Sequence, residues 1–154
     1  MSHSQTVPDT TLRMSRVFKA TPERVFRAFV DAEAMRVWFC PAGFSFETIT
    51  VDEATGRGSF FVMVHGATGS RFAFALDYTL VDPPRRIQWI STWRDGFSEP
   101  GRETMATIEF RKVPDGTEVT LTQHGFLNRE NRDEHANGWG GGMDKLAMYL
   151  AAER

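Results

Sequence analysis

The feature that most restricts what this chain can fold into is a change of hydrophobic period. From Phe44 to His124 apolar residues recur at every second position, and from about Arg129 onward they recur every third or fourth. The first spacing belongs to strands buried on one face, the second to an amphipathic helix. The alternation is cleanest over Phe72 to Val81, where Phe72, Phe74, Leu76, Tyr78 and Leu80 oppose Ala73, Ala75, Asp77 and Thr79.

Turn chemistry divides the period-two region into six strands. They are Phe44 to Val51, Gly58 to His65, Phe72 to Val81, Arg86 to Arg94, Glu103 to Val113 and Glu118 to His124. The breaks are Asp52 to Gly56, Gly66 to Ser70, Asp82-Pro83-Pro84, a Gly- and Pro-bearing loop from Asp95 to Gly101, and Pro114-Asp115-Gly116. Tight turns between successive strands imply antiparallel neighbours, hence a meander. Ile87, Trp89, Ser91 and Trp93 share one face of their strand. In Gly58 to His65 the inward pair is Phe61 and Met63, although a one-residue slip would substitute Phe60 and Val62.

Before the meander, Thr11 to Lys19 forms a strand with Leu12, Met14 and Arg16 in phase. Thr21-Pro22-Glu23 then opens a helix: Thr21 caps it, Pro22 suits its first position and Glu23 its positive end. Asp31 occupies the corresponding cap of a second short helix, Ala32 to Phe39, which ends before Pro41 and Gly43. After the meander, Ala136, Trp139, Met143, Leu146 and Leu150 form one stripe on a helix of about Arg129 to Glu153, with Asp144, Lys145 and Glu153 opposite. An antiparallel sheet of about seven strands needs its apolar face covered, and this helix is the cover. The expected architecture is α+β: a helix-grip fold, with a curved sheet holding the long helix on its concave face. Residues 1–10 are expected to be a flexible lead-in and residues 11–154 one domain.

Net charge is -2, with acids and bases interleaved, so no basic stripe favours nucleic acid. No apolar run approaches the ~20 residues of a membrane span, and Met1 to Asp9 lacks a signal-peptide apolar core. The single cysteine, Cys40, excludes an intrachain disulfide. Together these predict a cytoplasmic protein.

The order strand, two short helices, meander, long helix resembles the SRPBCC superfamily, also called START/Bet v 1-like. Within it the chain is similar to the branch homologous to the C-terminal domain of the heat-shock-protein-90 ATPase activator. The matching motifs are Thr21-Pro22-Glu23-Arg24-Val25-Phe26, Trp38 ahead of Pro41, and Asp82-Pro83-Pro84-Arg85-Arg86, followed by the run from Gly116 to Phe126 and by Gly138-Trp139. The resemblance runs from about Leu12 to Ala152. It implies a cavity between sheet and long helix, in a superfamily of lipid carriers, hormone receptors, cyclases and many uncharacterised bacterial proteins. The chain is about one domain long and lacks the activator's N-terminal part, which argues against a chaperone-activating role.

The expected cavity residues are Trp38, Phe61, Met63, Phe74, Leu76, Tyr78, Trp89, Ser91 and Trp93 from the first helices and the sheet. Gln123, His135, Trp139, Gly142, Met143 and Leu146 complete them from the last strand and the long helix. Indoles offer apolar wall with one N–H each, and Tyr78, Ser91 and Gln123 add polar tips that orient a ligand. For each indole taken alone, plain core is the simpler reading. Gly138, Gly140, Gly141 and Gly142 are anomalous, since each costs about 1 kcal/mol in a helix relative to Ala. Either they leave room for a ligand at the cavity mouth, or they permit close packing of the helix.

No catalytic constellation is legible. His135, one turn before Trp139, is the one weak candidate for an acid or base. His65, His124 and His135 lack metal-ligand spacing, so neither a metal nor a cofactor is expected. Asp77 should be solvated, and Glu103 and Glu109 form no acid–base pair by sequence. Cys40 reads as a buried small residue with nothing nearby to lower its pKa. The expected function is binding of a small hydrophobic or aromatic ligand. A cofactor-free cyclase or hydrolase in the same cavity and a chaperone-regulator-type interaction domain are the alternatives. Sheet edges could also pair two copies as a homodimer.

Overall fold

The computed structural model describes residues 10–50, 58–95 and 101–152. Residues 1–9 of the lead-in, the Asp52 to Gly56 turn, most of the loop after Asp95, and Glu153 lie outside the described residues. The elements run β1 (Thr11–Phe18), α1 (Pro22–Ala28), α2 (Ala32–Trp38), β2 (Phe44–Thr50), β3 (Ser59–His65), β4 (Arg71–Asp82), β5 (Arg86–Asp95), β6 (Glu103–Val113), β7 (Gly116–His124) and α3 (Arg129–Ala152). The seven strands form one antiparallel sheet in the order β1-β7-β6-β5-β4-β3-β2. The meander is therefore spatially sequential, and β1 and β2 are its edges.

The period-two reading matches the burial of most strands; the exception is β2, whose alternation breaks at Thr48 and Ile49. On β4, Phe74, Leu76 and Tyr78 are buried while Asp77 and Thr79 are exposed. On β3 the inward set is Ser59, Phe61 and Met63, and Phe60 is 37% exposed, which settles the register against the slipped alternative. Bulges interrupt pairing at Phe46/Thr48, at Ala73/Phe74 and at Tyr78/Leu80. Bulges increase local twist and bend, as a sheet wrapped around a helix requires.

Thr21 caps α1 by accepting from the Arg24 amide at 3.3 Å. Asp31 stands at the N-cap of α2, but its side chain makes no capping bond. The two short helices are joined by the Trp38 indole, whose N–H donates to the Ala28 carbonyl at 2.8 Å. That bond ties the end of α2 to α1, and α2 packs on α3 and the edge strand β2.

The long helix approaches the sheet unevenly. Its backbone packs against β1, α1 and α2. Arg16 on β1 pairs with Asp144 at 2.6 Å, and Arg24 on α1 donates to the Leu150 carbonyl at 2.9 Å. Opposite β3 to β5 it meets the sheet through long side chains, as in the stacked Trp89 and Trp139 rings, 6.3 Å apart. A wedge of space is left at that end. None of the described helices is long and apolar enough to cross a membrane.

Candidate functional site

The wedge holds a cavity of about 470 Å³, within the roughly 300–1,000 Å³ of small-molecule sites. Its floor is the concave face of β3 to β5 with Gln123 of β7, and its roof is the first half of α3. Its outer wall is the end of α2 and the connection to β2.

The expected residues divide into two groups. Trp38, Met63, Phe74, Leu76, Trp89, Ser91, Trp93, Gln123, His135, Trp139 and Gly142 all line the cavity. Four others do not, and each is buried for a definite reason. Phe61 lies flat against Phe74, with centroids 4.8 Å apart, and Phe39 and Phe46 cover it. Tyr78 sits behind Trp89, and its hydroxyl is 3.5 Å from the Phe29 carbonyl. Met143 and Leu146 fall in the half of α3 that is docked on α1 and β1, so they are core. A stripe repeating every three to four residues cannot tell where along a helix the gap to the sheet closes.

Sequence reasoning overlooked Phe39, Phe44 and Phe72. Phe39 is the centre of the aromatic cluster. Its ring lies 5.2–6.4 Å from those of Trp38, Phe46, Phe61, Phe74, Trp89 and Trp139. Phe72 was in phase with Phe74, so the alternation of β4 held the signal. Phe39 ends α2, where periodicity carries no information about direction.

Two hydrogen-bonded pairs set the polar character of the interior. The Trp139 indole donates to Gln123 Oε1 at 2.9 Å, and Gln123 Nε2 donates to Thr104 Oγ1 at 2.9 Å. The Trp93 indole donates to His135 Nε2 at 3.1 Å, while His135 Nδ1 lies 3.0 Å from the Asn131 carbonyl. Accepting at one ring nitrogen and donating from the other defines neutral imidazole protonated at Nδ1. Burial holds the His135 pKa below its usual value, against the Asn131 carbonyl and the Glu134 carboxylate. Its lone pair is thus committed to Trp93, which removes the basis for treating it as a base.

The expectation that nothing near Cys40 would lower its pKa needs correction. The fold brings Lys145 Nζ to 3.4 Å from the sulfur and 3.3 Å from the Pro41 carbonyl. Lys145 therefore belongs to a packed contact and not to a solvated helix face. Burial still outweighs the ammonium and pushes the thiol pKa up, and the thiol donates to the Phe44 carbonyl at 3.2 Å.

The glycines of α3 divide between the two readings. A Cβ on Gly141 would stand 3.0 Å from the Ala42 amide nitrogen, and one on Gly142 3.2 Å from the Trp38 carbonyl. One on Gly138 would meet the Pro41 ring at 3.3 Å. Close approach is their role, but the partner is the 38–42 connection and not the sheet. Gly140 meets nothing within 4 Å. Gly138 and Gly142 also line the cavity, so the same approach shapes its wall.

A second hollow, lined by Asp82, Arg85, Arg86, Glu109, Arg111 and Glu118 among others, consists of charges that pair locally. Among the described residues no group of three or more His, Cys, Asp or Glu is placed to hold a metal.

Comparison with known proteins agrees with this geometry. A Chromobacterium violaceum protein of known crystal structure superposes with a TM-score of 0.84 at 27% identity, covering 92% of this chain and 97% of its own. The AHSA1 protein of Silicibacter pomeroyi gives 0.84 at 27% identity, covering 94% and 99%. A Rhodobacter sphaeroides protein shares the fold at 21% identity, with a TM-score of 0.80 and 97% of both chains covered. No curated protein matches the chain. Residues 19–151 match the model of the family described as activator of Hsp90 ATPase homolog 1-like protein, and the chain belongs to that family, with its SRPBCC-type fold.

Proposed function

We propose that the protein binds a small, ring-bearing apolar molecule in the cavity between β3–β5 and the first half of α3. The observation that carries this reading is a set of aromatic rings lining unfilled space. Phe44, Phe72, Trp93 and Trp139 are only partly buried although they adjoin the core. A protein that used this fold only as a docking surface would gain stability by filling that space. The commitment of His135 to Trp93 and Asn131 favours binding over acid–base catalysis. Membership of a family with a chaperone-linked description leaves the interaction-domain reading as the alternative.

Native mass spectrometry of the purified protein, followed by a melting-temperature screen with apolar aromatics, tests the proposal. The expected result is a retained small molecule, or a rise in melting temperature with ring-bearing compounds. An empty protein whose melting temperature is unmoved across the panel would contradict it.

A further inference from the structure

The cavity carries an asymmetry of polar groups that points to the chemical class of its ligand. Resting on the binding reading above, we propose that it selects uncharged molecules bearing a hydrogen-bond acceptor, such as an aryl ketone or ether, over carboxylates of the same shape.

Among the described residues no lysine or arginine lines the cavity, and the one charged lining residue is Glu134, exposed on α3. Lys145 is turned toward Cys40 and the Pro41 carbonyl. His135 has both ring nitrogens engaged and, being buried, resists protonation. A carboxylate entering this space would give up its water with no cation to receive it, and desolvating an unpaired charge is costly.

The hydrogen-bond donors of the cavity give independent support. The indole N–H groups of Trp38, Trp93 and Trp139 are spent on the protein's own acceptors. Trp89 and Ser91 differ: they are two residues apart on the cavity face of β5, and neither hydrogen-bonds a described residue through its side chain. Trp89 is 1% exposed as a residue, but its indole nitrogen is not fully buried, because the fully buried side-chain polar atom without a partner among the described residues is Ser59 Oγ. An accessible donor without a protein partner gains from a ligand acceptor. A ligand oxygen seated against β5 would satisfy Trp89 and Ser91 together, while the rings of Phe39, Phe74 and Trp139 would hold its apolar body.

A matched trio of probes tests this: 2-acetylnaphthalene, 2-ethylnaphthalene and 2-naphthoate, titrated into the full chain at neutral pH while the indole N–H resonances are followed by NMR. The ketone should bind roughly fivefold tighter than the ethyl compound, the worth of about one net hydrogen bond. It should bind at least about tenfold tighter than the naphthoate. The Trp89 indole proton should move downfield with the ketone alone, and Ser91→Ala should narrow the ketone-to-ethyl ratio by about twofold. Naphthoate binding as well as the ketone would overturn the inference. So would equal binding of ketone and ethyl compound with Trp89 unmoved; either result leaves the apolar-binding function standing. If none of the three binds, the binding function itself fails and this inference with it.

Discussion

At one end of the space between α3 and the sheet, Phe29, Val119, Leu121 and Leu146 are completely buried; at the other, Phe44, Phe72, Trp93 and Trp139 each keep part of their surface exposed. Both ends are built from the same materials, an apolar strand face and a helical stripe. What separates them is backbone distance. At the closed end α1 fills the angle, with Phe26 and Phe29 each 5.2 Å from Phe110. The Arg16–Asp144 and Arg24–Leu150 bonds hold α3 down beside it. At the open end α2 and the 38–42 connection take that place, but they pack against the glycine side of α3 and stand to one side of β3–β5. A helix clamped at one end and propped at the other leaves a wedge, and the wedge is the candidate site.

The largest effect that can break this comparison is on stability. Phe29→Ala, at the closed end, should cost about 3–5 kcal/mol in urea unfolding, the usual cost of emptying a tight aromatic site. Phe72→Ala, beside space that already exists, should cost about 1 kcal/mol, because its neighbours lose little packing. Equal costs would mean that the two ends are packed alike.

A second pair of substitutions sharpens the account of the prop. Gly141→Leu must displace the Ala42 backbone, and overpacking of that kind should cost about 1–3 kcal/mol. Gly140→Ala adds a methyl group that meets nothing within 4 Å, so helix propensity should stabilise the protein by about 0.5–1 kcal/mol. Thermal unfolding of the two variants checks both signs.

The smallest expected effect is the pH dependence of the open end. The folded-state pKa of His135 is lowered by burial, so the unfolded chain takes up the proton first as pH falls. The contribution of His135 is then complete above the unfolded value of about 6.5 and is lost as pH drops below it. Melting temperature should therefore fall more steeply between pH 7.5 and 5.5 in the wild type than in His135→Gln. Parallel profiles would show that the imidazole is not held neutral.

Much of this molecule is readable from its sequence, and the unreadable part has a physical cause. The alternation of β4 and β5 identifies the floor, because every second side chain must face the helix whatever the tertiary detail. Trp89, Ser91 and Trp93 follow directly from it. The stripe on α3 identifies which helix face looks inward, but not that Trp139 overhangs a gap while Leu146 closes one. That difference depends on the tilt of the helix, which is set by Arg16, Arg24 and the glycines meeting residues about a hundred positions away. Phe39 and the Lys145–Cys40 contact escaped for the same reason. Each depends on the path of an irregular connection across α3, and no periodicity encodes that path.

The unfolding free energy of Ser91→Phe tests the central claim, that the wedge is empty, without any knowledge of the ligand. Ser91 lines the floor of the cavity. If the space is open, the added ring enters it, stability stays within about 1 kcal/mol of wild type or rises, and uptake of apolar probes is lost. A destabilisation of about 3 kcal/mol or more, as expected when a ring is forced into a filled core, would contradict the account.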